Sequence, residues 1–425
     1  MKKYDVAIIG GGVSGLNSAY QLSKAGKKVI VIEKNKSLGG MLRSIDRKDY
    51  SIEEFYHHIF ENSVHAINLI DKLKLNLTWK DASTAFYYPW KDKSNFFTLT
   101  VPTDLLKFKP LTFFEKLKLG IFLLRMKLIK NPGYLDNIPA ERYIIKNVGN
   151  SVYEKFFKPL LSAKYGKNLH RISTGWFIDR INIRNKRGYK GEILGYVEGG
   201  FELIIKRLKE EILKNKGEIG YGKPVKKVTD RFVIDFGKKI SADYIINTTS
   251  SSQFSKLFKF PDDYQAKLKS LKNQGVICIV LGLKKKLTNF YWTNLIKEDI
   301  SFRAIIEHTN FQPLSKYKEH IMYLASYPDV NSELWNISDK EVFERYFKDL
   351  SSILPVKKED VNWFKVIKER DAGLIYETGI LKNILPVETP IKGLYFAGMS
   401  NSYPDRNLEQ SLILSTKAVN LILKK

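Results

Sequence analysis

Cysteine is nearly missing: Cys278 is the one example in 425 residues. A single thiol rules out a disulfide framework and a cysteine-built metal site. Its place in the apolar run 276–281 marks it as a buried strand residue. Long apolar runs are missing too, and none is long enough to cross a bilayer as a helix. There are no internal repeats and no low-complexity tract. An apolar strand begins within a few residues of Met1, so no signal or transit segment is expected ahead of it. The expected location is the cytoplasm, with the inner face of a membrane as a peripheral site. Acid is in short supply: 45 Asp and Glu stand against 71 Lys and Arg, a net charge of +26. An excess of that size favours anionic partners. The lysines are spread along the whole chain without a nucleic-acid-binding motif, so nucleic acid ranks last. An anionic membrane surface or an anionic small molecule ranks above it, beside the plainer reading of a solvated basic face. An apolar content of 44% over this length suits two interleaved packed domains.

What is present begins at residue 5: Asp-Val-Ala-Ile-Ile-Gly-Gly-Gly-Val-Ser-Gly. An apolar strand (6–9) runs into a glycine turn, a helix is predicted over 12–25, and a second apolar strand (29–32) ends on Glu33. This is the βαβ dinucleotide fingerprint. Gly10 permits the tight turn, Gly12 lets a pyrophosphate approach the backbone, and Gly15 lets helix and strand pack closely. Val13 and Ser14 open the helix, whose free N–H groups and positive dipole end suit phosphates. Glu33, eighteen residues after Gly15, is placed to accept from a ribose hydroxyl.

Residues 34–43 read Lys-Asn-Lys-Ser-Leu-Gly-Gly-Met-Leu-Arg. An acid-ended strand, a short loop, Gly-Gly and an Arg resemble the FAD-binding start of the amine oxidase, phytoene desaturase and protoporphyrinogen oxidase superfamily. The resemblance implies FAD as cofactor. It also implies that Lys34, Gly39, Gly40, Met41 and Leu42 pass beside it, and that Arg43 contacts the diphosphate or nearby backbone. Two further segments are similar to the same superfamily. Residues 196–228 hold a Gly-Gly turn, an amphipathic helix and Val225, whose backbone would meet the adenine. Residues 393–398 (Gly-Leu-Tyr-Phe-Ala-Gly) precede a polar loop and a helix over 408–423, which assigns Gly398, Asn407 and Leu408 to the flavin's pyrimidine edge. Asn407 and Gln410 have capping-box spacing.

The resemblance implies an α/β architecture: a Rossmann-like FAD-binding domain of the glutathione reductase type interleaved with an α+β substrate domain. The FAD domain is expected over residues 1–78, 192–258 and 385–425, and the substrate domain over 79–191 and 259–384. The substrate domain combines a helical stretch, 79–190, with a sheet over 275–366. Strands are predicted at 276–281, 302–307 and 321–327, with a helix at 340–350. Thr112 and Glu115 cap a further predicted helix, with Phe113, Leu117, Leu119, Ile121, Leu124 and Leu128 as a broad apolar face among lysines. Such a helix can lie in a membrane interface, and packing within the substrate domain is the preferred alternative.

Catalytic candidates are few. Residues 53–60, Glu-Glu-Phe-Tyr-His-His-Ile-Phe, match a superfamily stretch that passes close to the flavin. Read as a strand, Tyr56, His57 and His58 alternate, so at most one His faces the ring; one core and one surface His is the even alternative. Glu53 and Glu54 read as solvent-facing acids as easily as ligands, and His65 is the one nearby third ligand, so no metal site is expected. Lys164 is a further candidate, with Arg370, Tyr376, Tyr403 and Arg406 as pocket-lining residues. The leading function is an FAD-dependent oxidoreductase moving a hydride between flavin N5 and a C–C or C–N bond of a hydrophobic, isoprenoid-like or anionic substrate. The second is a mutase acting on nucleotide sugars with reduced FAD, since His57-His58-Ile-Phe60 is similar to a stretch of UDP-galactopyranose mutases. The third is a flavin-binding protein without turnover.

Overall fold

The computed structural model describes every residue except 92, 184–186, 189, 190, 230, 231 and 298. The strands Lys2–Ile9 and Val29–Ile32 run parallel, with Val6 opposite Val29 and Ile9 opposite Ile32. The strand Val29–Ile32 is buried throughout and reads as an unbroken apolar run, the pattern of a parallel sheet covered on both faces. Lys239–Asn247 pairs with Lys2–Ile9 on its other side, and Leu394–Phe396 pairs with Lys239–Asn247. Glu218–Gly220 closes one edge, while the hairpin of Lys227–Val228 and Val233–Asp235 adds to the other flank. The sheet therefore gathers strands from the start, the middle and the end of the chain. Helix Val13–Lys24 packs against both Glu202–Lys214 and Leu408–Leu423. Its seam with the last helix is partly polar: Asn17 Nδ2 donates to Ser415 Oγ at 2.8 Å.

A second seven-stranded sheet runs in the order Val361–Glu369, Val276–Leu283, His320–Ser326, Ala304–Glu307, Trp292–Leu295, Thr84–Trp90, Lys93–Thr98. One pair in it is parallel, Trp292–Leu295 with Thr84–Trp90. Successive residues of Val276–Leu283 serve opposite faces. Ile277, Ile279 and Leu281 pack under helix Asp339–Ile353 with Val342, Tyr346 and Leu350. Val276, Cys278 and Val280 face the core shared with the first sheet. A small sheet of Ile59–Phe60, Gly191–Val197 and Leu77–Ala82 lies across the expected boundaries at 78/79 and 191/192.

The stretch 79–190 is not helical throughout. Thr84–Trp90 and Lys93–Thr98 form a hairpin that extends the second sheet, and a strand-favouring run of aromatics, Ala-Phe-Tyr-Tyr, explains why. Its far end, 184–186 and 189–190, lies outside the described residues. Residues 159–166, Pro to Gly, read as a break in this stretch, and the break falls at its end, Gly166, with φ +51°; Pro159 sits in the tolerant first turn of Lys158–Tyr165.

Candidate active site

Each glycine of the first turn has its own reason. Gly10 has φ +109°, and a Cβ there would lie 2.4 Å from Thr248 Oγ1. A Cβ on Gly15 would lie 2.0 Å from the Gly10 carbonyl oxygen, so helix and strand touch through it. Gly12 is different: a Cβ there would meet only Gly40 Cα, at 3.7 Å. The second glycine pair lies alongside, with Gly39 N–H donating to the Gly11 carbonyl at 2.9 Å. The two turns form one floor without side chains. Helix Val13–Lys24 starts at Gly12 with no side-chain cap and no acid in its first turn, so its leading N–H groups and dipole are left for an anion. The Ser14 hydroxyl instead donates to the Ala397 carbonyl.

Glu33 is buried and holds this floor in place. Its Oε2 accepts from Gly11 N–H at 2.7 Å and its Oε1 from Asn35 N–H at 2.8 Å. Each oxygen keeps a second lone pair for a ribose hydroxyl. Lys34 is exposed, Met41 half-buried and Leu42 buried in the short turn Gly40–Leu42. The Arg43 guanidinium pairs with Glu54 at 3.0 Å, which also corrects the solvent-facing reading of Glu54. Val225 flanks the sheet edge, and among the described residues its backbone N–H and C=O take no partner. Gly398 crosses the Thr248–Thr249 backbone so closely that a Cβ would lie 2.8 Å from the Thr249 carbonyl oxygen. Asn407 caps the last helix, its side chain accepting from Gln410 N–H at 3.0 Å, with Leu408 as first helical residue. These residues fit a dinucleotide: two glycine turns, an uncapped helix, a buried acid and an unpaired backbone edge.

Residues 56–58 form a loop between Ser51–Glu53 and Ile59–Phe60, so strand alternation does not govern them. His57 Nδ1 donates to its near neighbour, the Phe55 carbonyl, at 2.7 Å, and the ring lies 5.7 Å from Phe201. Burial holds its pKa down to about 4, which makes it neutral at physiological pH. His58 packs edge-on to Phe60 and Tyr291. Tyr56 turns toward the C-terminal loop. Its hydroxyl shares a 2.9 Å hydrogen bond with Tyr327, and its ring meets Trp292 edge-on at 4.9 Å. Burial pushes the Tyr56 phenol well up, so it stays protonated.

Behind Tyr327 lies Arg406, its guanidinium 5.7 Å from the Tyr327 ring and its Nη2 donating to Gln274 at 3.1 Å. Arg406 Nη1 is buried without an acceptor. Gln274 also donates to the Lys164 carbonyl, and Lys164 Nζ sits 5.0 Å over the Trp176 ring. Trp176 stacks on Tyr376, and Arg180 pairs with Asp405 at 2.6 Å. Burial raises the Asp405 carboxyl, but Arg180, Lys164 and Arg406 outweigh it and hold Asp405 ionised. The fold thus brings Tyr56, Lys164, Tyr376 and Arg406 into one aromatic and basic cluster at the start of the last helix, while Arg370 stays apart, exposed over the Trp335 ring. Tyr403 is tied to Asp179 at 2.9 Å on its flank.

A buried polar network was missed in the sequence. Glu53 is 1% exposed, not solvent-facing. It accepts from Phe201 N–H at 2.7 Å and from the Tyr196 hydroxyl at 2.8 Å, fixing the Gly199-Gly200 turn. Burial raises its carboxyl, an effect the hydrogen bonds and Lys316 partly offset. His308 reaches Tyr317 at 2.8 Å, and burial pushes its pKa down to about 3. The available clue was a charged residue ending a short apolar strand, in Ser-Ile-Glu and in Ala-Ile-Ile-Glu-His. Among the described residues no group of three His, Cys, Asp or Glu is arranged to hold a metal, and His65 pairs with Glu409 at 2.7 Å.

A dinucleotide cradle joined to a mixed sheet through an aromatic cluster is the arrangement of a flavoprotein oxidoreductase. The flavin containing amine oxidoreductase family matches residues 13–423, and the chain belongs to that family of flavin-dependent enzymes. It is 25% identical to 15-cis-phytoene desaturase of Solanum lycopersicum over 435 residues, 93% of this chain and 73% of the desaturase. It is 23% identical to protoporphyrinogen oxidase of Nicotiana tabacum over 262 residues, 59% of this chain and 46% of that protein. A putative protoporphyrinogen oxidase from Exiguobacterium has the same fold, with a TM-score of 0.80 at 19% identity over 100% of this chain and 99% of the other. Reduced UDP-galactopyranose mutase gives a TM-score of 0.78 at 17% identity, covering 100% and 94%. At such identities the likeness speaks for the fold alone. Among the described residues no helix is long and apolar enough to cross a membrane.

Proposed function

We propose that the flavin is FAD and that the enzyme oxidises or reduces a C–C or C–N bond of a hydrophobic substrate. One observation carries this reading: the glycine floor at Gly12 and Gly40, through Leu16, Met41 and Leu42, shares a core with the aromatic cluster of Tyr56, Trp292 and Tyr323. FAD, when bound, supplies the two-electron acceptor or donor. Gly11, Gly12, the leading amides of Val13–Lys24 and Gly39–Gly40 would hold its diphosphate, Glu33 its ribose and Val225 its adenine. The residues of this cluster orient the substrate and exclude water. Tyr56 is protonated and His57 neutral, so neither is a strong base or a cationic acid at neutral pH. That suits removal of hydride from an activated carbon, which needs no strong base.

A second reading is favoured by Arg406, whose buried Nη1 has no acceptor and could take an anionic group, as a nucleotide-sugar enzyme requires. The test is anaerobic. Purified protein should carry FAD identifiable by mass spectrometry and lose its visible absorbance with a reducing substrate. A protein that binds UDP-sugars and turns over only after dithionite reduction would select the second reading.

A further inference from the structure

Helix Phe113–Leu128 carries two apolar faces. Leu119, Phe122 and Met126 are buried, with Phe122 edge-on to Phe157 at 5.8 Å. On the other side Phe113, Phe114, Leu117, Ile121, Leu124 and Leu128 are between 44% and 80% exposed. At helical spacing these six fall in one continuous arc of about 100°. They are six of the eighteen large apolar side chains that the described residues expose, so this is a patch and not scatter. Leu106, also exposed, adjoins it, because Lys116 Nζ donates to the Leu106 carbonyl at 2.7 Å.

The borders of the arc are cationic. Lys118 and Arg125 lie on one side and Lys127 on the other, and none has an acidic partner among the described residues. The one acid in the helix, Glu115, is drawn inward by Lys155 at 3.0 Å. An apolar arc bordered only by cations fits a surface that is apolar within and anionic at its rim. A second copy of this chain does not match: a two-fold contact here would set Lys118, Arg125 and Lys127 against themselves with no acid between them. We propose that this face docks on an anionic lipid bilayer, the helix lying in the plane of the headgroups. The proposal does not rest on the flavin assignment.

The test is flotation of the full chain, as purified, with phosphatidylcholine vesicles with and without one third phosphatidylglycerol. The expected result is flotation with the anionic vesicles only. Lys118→Gln/Arg125→Gln/Lys127→Gln should weaken partitioning about a hundredfold, at about 1 kcal/mol per basic residue and about 1.4 kcal/mol per tenfold. Phe114→Ser/Leu117→Ser/Leu124→Ser should abolish it while visible absorbance and thermal midpoint stay unchanged. Wild-type protein that stays unbound, or glutamine and serine variants that float as well as wild type, would overturn the proposal. So would a wild-type dimer that the serine variant makes monomeric. Should the serine variant fail to fold, the glutamine variant alone decides.

Discussion

Gly12 and Gly15 stand three residues apart and fail differently. A side chain at Gly15 collides with the Gly10 backbone oxygen, so Gly15→Ala should cost several kcal/mol and be visible as a lowered thermal midpoint. At Gly12 the protein leaves room, so Gly12→Asp should fold at the midpoint of flavin-free wild type and purify colourless, because its carboxylate occupies the anion's place. Stoichiometric flavin in that variant, measured by absorbance, would refute the role given to the turn. His308 makes a pH prediction. Its folded pKa of about 3 lies below the unfolded value of about 6.5, so the unfolded chain takes up more protons as pH falls. The contribution of neutral His308 is complete above about pH 6.5 and is lost as pH falls toward 3. His308→Gln should therefore flatten the decline of thermal midpoint between about pH 7 and 5, read against wild type by calorimetry. The glycines could be read from the chain because backbone sterics are local. Glu53 could not, because its partner Tyr196 comes from a distant strand, and His308 could not, because Tyr317 is folded back onto it by the short helix Leu314–Tyr317 and not by any regular spacing.

Among the elements, capping was the most readable signal. Thr112 with Glu115 and Ser338 with Glu341 form complete capping boxes, since both partners lie within one turn. Asn407 provides half of one, and its Nδ2 also donates to Asp405 at 3.1 Å. Asn407→Ala should cost about 1 kcal/mol of stability and weaken flavin binding together, measured by denaturation and by fluorescence titration. Less could be read where two faces of one element are apolar. The exposed and buried arcs of Phe113–Leu128 merge into one broad face when only residue type is counted. Likewise Tyr56-His57-His58 has strand composition, but its backbone loops because His57 bonds back to Phe55 and Tyr56 is drawn to Tyr327.

At the scale of the whole molecule, separated segments meet around one proposed ligand, so binding should tie them together. FAD at a hundred times its dissociation constant should add about 2.7 kcal/mol of stability. FMN, lacking the adenosine half addressed by Glu33 and Val225, should add less; equal shifts of thermal midpoint for the two would contradict the assignment. The parallel sheet followed from its apolar runs, whereas the hairpin Thr84–Trp90 with Lys93–Thr98 did not, because its partner Trp292–Leu295 is some two hundred residues away in sequence. The pairing of Leu394–Phe396 with Lys239–Asn247 has a consequence for biosynthesis. Strands at residues 2–9 and 29–32 leave the ribosome early, yet the wall carrying Gly398 and Asn407 emerges hundreds of codons later. A polypeptide released prematurely would thus hold a phosphate turn without its far wall, and cofactor capture should wait for translation to pass the final helix.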